Sequence, residues 1–140
     1  MAVADSSSFI ERSIRLSEEG IGFTALILYK GHAGGVIGYN WIDPLNRSCE
    51  IGYWIAQDMQ KHGIVTRSTR ALVESAFGTL NLNRINIPAA VKNTKSRSIP
   101  ERLGFTDEGI KREAEWLYDH FVDHVQYSML RGDWEKTTDA

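Results

Sequence analysis

The 140-residue sequence predicts an α+β fold, a mixed and mostly antiparallel sheet flanked by helices. Three observations predict it. Residues 23–55 hold three β-rich runs separated by short breaks, residues 64–80 form one long amphipathic stretch, and the remainder alternates strand, short helix and two strands. Short breaks favour antiparallel neighbours, whereas strand, helix, strand in succession makes a parallel crossover.

The elements follow in order. Ser8 and Glu11 in "SFIE" form a capping-box pattern, and Phe9, Ile10 and Ile14 recur at helical spacing, which predicts a helix over 8–19 ending near Gly20. The β-rich runs "FTALILYK", "GGVIGYNWID" and "SCEIGYWI" are split by "GHAGG" and "DPLNR", turn-forming segments. Over 64–80, Leu72, Val73, Ala76, Phe77 and Leu80 share one face, while Arg67, Arg70 and Glu74 fall elsewhere; this is the main helix. A strand "RINIPAAV" follows, then a short helix from about Lys95 to Leu103 capped by Gly104, then strands around "FTDEGIKREAEW" and "FVDHVQYSML".

With 42% apolar and 24% charged residues, residues 1–140 suit a single domain with a real core. Sixteen Lys and Arg against eighteen Asp and Glu give a net charge of −2, so nothing draws the whole molecule to nucleic acid or to an anionic membrane. Any anion has to be captured locally. The single cysteine, Cys49, cannot form an internal disulfide and suits a reducing compartment, and the beginning "MAVADSSS" has no secretory pattern, so the expected location is the cytoplasm. No apolar run reaches the ~18 residues of a membrane span.

The run "QKHGIV", residues 60–65, stands at the mouth of the main helix. The first amides of a helix lack internal partners and carry the positive end of its dipole, so a phosphate is a natural occupant there. Gly63 permits close approach, and Lys61 and His62 can add charge. The same residues suit an ordinary strand-to-helix turn in which Gly63 takes a positive φ. There is no Walker pattern and no three-glycine dinucleotide fingerprint, which removes support for nucleotide hydrolysis and hydride transfer. Pro88 is the second clue. A strand after a crossover helix is usually internal, yet proline cannot donate to a ladder. The conflict is resolved if this strand diverges from "EIGYWI" at its Pro88 end, leaving a wedge that accepts an extended amide-bearing ligand. An edge strand with a tolerated proline is the alternative.

Taken together, "EIGYWI", "QKHGIV", "LNLNRINIPAAVKNTKSRSIPERLGF" and "EWLYDHFVDHVQYSML" resemble the GNAT superfamily of N-acetyltransferases, in particular its RimJ/RimL-type group and YdaF-like members, over about residues 24–131. The resemblance implies the GNAT, or acyl-CoA N-acyltransferase, fold and acetyl transfer from acetyl-CoA to a primary amine, most readily a ribosomal-protein N-terminus. It implies pyrophosphate contacts at Gln60, Lys61, His62, Gly63, Ile64 and Val65, and the pantetheine arm between Trp54-Ile55 and Pro88-Ala89-Ala90. Gln60 and Gly63 match the family's cradle, whereas Val65 stands where Gly or Ala is usual. Asn93 and Ser96 match positions that contact the cofactor arm and thiol. Family members commonly carry a tyrosine acid just before "ERLGF"; here that place is Pro100, which leaves Ser96 as the donor to the leaving thiolate. Pro100 also lacks the amide that would close on the Ser96 carbonyl, so a kink is expected. Family members normally begin with a further strand and helix, which the resemblance implies this chain lacks; a non-catalytic acetyl-CoA-binding protein or a truncated inactive homologue is the alternative function, and a homo-oligomer is compatible with either.

Transfer to an amine needs a proton acceptor, and Glu50 is the candidate: strand alternation puts it with Gly52 and Trp54, opposite Cys49, Ile51, Tyr53 and Ile55. Pairing of Glu50 with Arg47 is the structural alternative. Asp119-His120 and Asp123-His124 offer metal-ligand types, but a hairpin tip and the alternation in "FVDHV" separate them, and no metal site is expected. Trp134 is expected to be a packing anchor.

Overall fold

The computed structural model describes residues 23–29, 32–55 and 63–139. The elements are β1 (Phe23–Tyr29), β2 (His32–Asp43), β3 (Ser48–Ile55), α1 (Ile64–Phe77), β4 (Arg84–Ala90), α2 (Thr94–Arg102), β5 (Thr106–Leu117), β6 (His120–Leu130) and α3 (Arg131–Asp139). They build a six-stranded sheet in the order β1-β2-β3-β4-β6-β5. Among the described strands only β3 and β4, joined by the α1 crossover, run parallel; every other pair is antiparallel. The α+β expectation therefore stands, including the crossover and the closing hairpin. The helix expected over 8–19 lies outside the described residues.

Period-two burial explains the sheet's two faces. Ile37, Tyr39, Cys49, Ile51, Ile85, Ile87, Val125 and Tyr127 all point to one face and are essentially inaccessible. Onto it α1 lays Ile64, Val65, Leu72, Val73, Ala76 and Phe77, residues at helical spacing. Each fully buried aliphatic side chain contributes about 1.5–3 kcal/mol, which makes this layer the main source of stability. Tyr39 brings its hydroxyl into the core and donates it to the Leu72 carbonyl at 2.6 Å. Helix α2 covers the other half of the same face: the Tyr127 hydroxyl donates to Glu101 at 2.7 Å and receives Arg97 Nε at 3.1 Å.

The opposite face carries Asn40, Glu50, Trp54, Arg84, Asn86 and Ser128. Here Arg84 donates from Nε to Asn86 Oδ1 at 2.9 Å and pairs with Glu108, and Ser128 donates to the same carboxylate at 2.7 Å.

The structure ends α1 at Phe77 rather than near residue 80: the Gly78 amide closes the last helical bond, on Glu74, and the Leu80 amide then reaches back to the Ser75 carbonyl at 2.9 Å as the chain turns. It adds α3, which the sequence reading did not include. Trp134 of α3 stacks on Phe77 with ring centroids 5.1 Å apart, so it is a packing anchor. Among the described residues, no helix is long and apolar enough to cross a membrane.

Candidate functional site

Parallel pairing between β3 and β4 covers only Ser48–Glu50 against Arg84–Asn86. Beyond that point β3 stays with β2 as far as Ile55, while β4 stays with β6 as far as Ala90. The sheet forks. The Arg84 amide donates to the Arg47 carbonyl on the β3 side, and the Val91 amide donates to Asp123 on the β6 side. Alternation therefore turns the backbone groups of Pro88 and Ala90 toward the fork. Pro88 has no N–H, so a ladder closing there would lack a donor. On the facing edge Cys49 accepts Asn86 Nδ2 at 3.0 Å, and the same alternation turns the amide and carbonyl of Ile51 and Tyr53 into the opening. Asn86, nearly buried, thus bridges the strands at the branch point with its side chain.

At the start of α1, Gly63 is the N-cap, with φ 67° and ψ 10° in the left-handed region where glycine alone sits without strain. It offers no side-chain cap, and the first turn holds no acidic residue. The first helical bond runs from the Arg67 amide to the Gly63 carbonyl at 3.1 Å, so the amides of Ile64, Val65 and Thr66 have no partner within the helix. The side chains of Ile64 and Val65 are buried in the core, which leaves their amides as the groups able to meet an anion. A larger residue at position 65 is thereby accommodated inward. Gln60, Lys61 and His62 lie outside the described residues, as does the side chain of Ile55.

Helix α2 starts at Asn93, whose Oδ1 accepts the Ser96 amide at 3.0 Å as an N-cap. Asn93 is exposed, and with Oδ1 so engaged its amide nitrogen is the end available to a ligand. Ala89, on β4, is 5% exposed and packs into the helix-side layer. Pro100 does not stop α2, which runs on to Arg102. The Ser96 carbonyl, which a non-proline residue 100 would cap, receives the Tyr53 hydroxyl at 2.8 Å instead.

Glu50 lies on the other face, with Trp54, which is 64% exposed. Glu50 and Ser96 therefore stand on opposite sides of the sheet plane, and the fork is the passage between them. The partner of Glu50 is not Arg47, which donates Nε to the Asn81 carbonyl at 3.0 Å. It is Asn40, whose Nδ2 reaches Glu50 Oε2 at 2.8 Å. The register of β2 against β3 shifts between Tyr39 and Trp41, and Asn40 is the extra residue of that bulge. Its side chain lies across Gly52: a Cβ there would stand 2.6 Å from Asn40 Nδ2.

The sequence reading missed one pair on this face. His124, register partner of Ala90, places Nε2 2.9 Å from Glu115 Oε1. Two register shifts in β5 bring Glu115 there, and nothing in the local pattern announces them. The other acid and imidazole groups of the hairpin are engaged separately: His120 Nδ1 with Asp119 at 2.7 Å, and Asp123 Oδ1 with the Glu113 amide at 2.7 Å. Among the described residues no three such side chains converge as a metal site. Between the end of β4 and the hairpin tip, a cavity of about 260 Å³ is lined by residues that include Ala90, Lys92, His120 and Phe121.

Comparison with known proteins agrees with this geometry. A model of the acetyltransferase (GNAT) domain matches residues 1–106. The putative ribosomal N-acetyltransferase YdaF of Bacillus subtilis is 45% identical over 114 residues, covering 81% of this chain and 62% of that protein. The ribosomal-protein-serine acetyltransferase of Escherichia coli is 31% identical over 126 residues, covering 90% and 70%. Among solved structures, a probable acetyltransferase superposes with TM-score 0.79 at 44% identity, covering 81% of this chain and 64% of that one. A RimL ribosomal L7/L12 α-N-protein acetyltransferase in complex with coenzyme A superposes with TM-score 0.76 at 30% identity, covering 82% and 65%. The chain thus spans less than two thirds of the length of YdaF and of these two solved chains. With the forked sheet, the open start of α1 and a domain match over most of its length, the chain belongs to the acetyltransferase (GNAT) family.

Proposed function

We propose that residues 1–140 act as one acetyl-CoA-dependent N-acetyltransferase domain, working in the cytoplasm on a primary amine, with the N-terminal α-amine of a ribosomal protein as the preferred acceptor. The observation that carries the reading is the fork between β3 and β4 beside the uncapped start of α1. One offers unpaired strand edges suited to the amides of a pantetheine arm, and the other offers free N–H groups at the positive end of a helix dipole, suited to a pyrophosphate. The relatives named above for ribosomal acetylation, and the relative solved with coenzyme A, support the same donor and acceptor class.

The two faces then divide the chemistry. The donor enters from the helix side, with its cofactor arm in the fork near Ile55 and Ala89 and with Trp54 on the far face of that opening, its phosphates at residues 60–65, and Asn93 and Ser96 beside the thioester sulfur. The amine arrives on the opposite face, where Glu50 lies, and the cavity between the end of β4 and the hairpin tip gives room for the first residues of a peptide. Attack forms the C–N bond and breaks the C–S bond; the amine proton passes to a carboxylate, and Ser96 supplies a hydrogen bond or proton to the departing thiolate. Glu50, aimed by Asn40, is the first candidate acceptor of the proton, and Glu115, held by His124, is the second carboxylate on that face.

A thiol-release assay with acetyl-CoA tests this across ribosomal-protein N-terminal peptides, polyamines and small amines. The expected result is release that depends on a peptide amine. Binding of acetyl-CoA without amine-dependent release identifies a non-catalytic binding protein instead.

A further inference from the structure

Pro100 lies buried inside α2, and because it has no N–H it leaves the carbonyl of Ser96 without its helical partner. The structure fills that gap from another element: the Tyr53 hydroxyl donates to the Ser96 carbonyl at 2.8 Å. The bond spans the fork. Tyr53 belongs to β3 beyond Glu50, where pairing with β4 has ended, while Ser96 belongs to the helix that follows β4. It is a tie between the two arms on the helix side of the opening, made at the residue whose hydroxyl is read above as the thiolate's partner. Burial, with the nearby Tyr127 adding to it, pushes the Tyr53 phenol well above its ordinary range, so the group stays a neutral donor.

We propose that Tyr53 is a positioning residue: its hydroxyl replaces the backbone amide that Pro100 lacks, and so fixes the first turn of α2, with Ser96, at a set span across the fork. This rests on the acetyltransferase reading for its effect on turnover, but not for the bond itself. Phenylalanine at position 53 keeps the ring and removes the donor, leaving a part-buried carbonyl unmet. The carbonyl then keeps its desolvation cost with no donor to offset it.

The test is a double-mutant cycle. Tyr53→Phe is expected to lower kcat about tenfold while shifting the KM for acetyl-CoA less than about threefold, and to lower the thermal midpoint. Pro100→Ala restores an amide that can close on the Ser96 carbonyl, and its kcat is expected to stay within about twofold of the parent. In the double variant the restored amide makes the phenol redundant, so most of the kcat and midpoint lost in Tyr53→Phe returns. If Pro100→Ala does not fold, Pro100→Val supplies the same amide with a volume closer to proline. Additive losses in the double variant, in kcat and in midpoint, overturn the proposal. Recovery of the midpoint without recovery of kcat in an active enzyme overturns the positioning role. Should no acceptor be turned over, the acetyltransferase reading fails, and the midpoints of the same four proteins still decide whether phenol and amide are interchangeable.

Discussion

Adding one methyl group at position 52 separates the fold from the aim of Glu50. Gly52 lies in β3 and is absent from the positive-φ residues, so alanine meets no backbone strain there. Its Cβ would stand 2.6 Å from Asn40 Nδ2, 2.7 Å from Oδ1 and 3.0 Å from Cγ, distances that cannot persist. Asn40 is exposed and can swing into solvent without moving the strands. The cost is its hydrogen bond to Glu50, roughly 0.5–1.5 kcal/mol and at the low end for a bond that reaches water. Against this, replacing a mid-strand glycine by alanine returns about 0.5–1 kcal/mol of chain entropy. The two terms offset, so Gly52→Ala is predicted to hold its thermal midpoint within about 4 °C of the parent. Its affinity for acetyl-CoA is predicted to be unchanged, and kcat with a peptide amine to fall about tenfold, because Glu50 loses its support. Calorimetry on the chain with and without cofactor, and thiol release under saturating peptide, measure all three. A midpoint loss above about 10 °C would show that Asn40 cannot leave, and an unchanged kcat would refute the role given to Glu50.

Other consequences are as specific. Ser96→Ala removes a hydroxyl but keeps the Asn93 cap and the Tyr53 bond, both made by the Ser96 backbone; turnover is expected to slow about tenfold or more with cofactor affinity spared, and unchanged turnover in stopped-flow thiol release would reject the donor role. Cys49 is fully buried, and burial first, then the neighbouring Glu50 charge, pushes its thiol up to about 12. A thiol reagent should find none of this single cysteine in the native chain and all of it in denaturant, so coenzyme A release can be read without a protein background. Labelling at native rates close to those of free thiol would contradict the packing. The Glu108 carboxyl is held below its ordinary 4.5, by the hydrogen bond from Arg84 first and that from Ser128 second. A depressed folded-state value means its contribution is complete above pH about 4.5 and fades as pH falls through the lower folded value. Glu108→Gln should therefore lose stability near neutral pH, by at most about 1 kcal/mol for a pair one-third exposed, and match the parent in strong acid. A pH-independent difference would show that the ion pair is not its source.

Much of this was legible along the chain because alternation and helical spacing are local. The run "SCEIGYWI" sorted Glu50 and Trp54 from Cys49, Ile51 and Tyr53 correctly, since one face is buried and the other is not. Pro88 located the fork, because a missing donor constrains its own strand edge. The register at which the fork opens was not legible: it depends on Asn86 reaching Cys49, 37 positions away. Asn40 supports Glu50 only because a bulge in β2 moves it across Gly52, and Glu115 meets His124 only through shifts in β5. Helix α3 escaped notice because "RGDWEKTTD" is mainly polar, and the two residues that tie it to Phe77, Arg131 and Trp134, show no helical apolar stripe. Side-chain bonds carry the site's fine geometry: Tyr53 and Ser96 lie too far apart for any local pattern, and Asn40 with Glu50 or Glu115 with His124 meet only through register shifts that local spacing does not announce.

Backbone amide shifts during titration of the intact chain with acetyl-CoA report on the fork without requiring an acceptor. If the open edges of β3 and β4 and the start of α1 seat the donor, the largest changes fall on Ile51, Tyr53, Ile64, Val65 and Ala90, while the hairpin tip at Tyr118 and Asp119 stays still. Saturation with those amides unmoved, or with changes confined to β5 and α3, would contradict it.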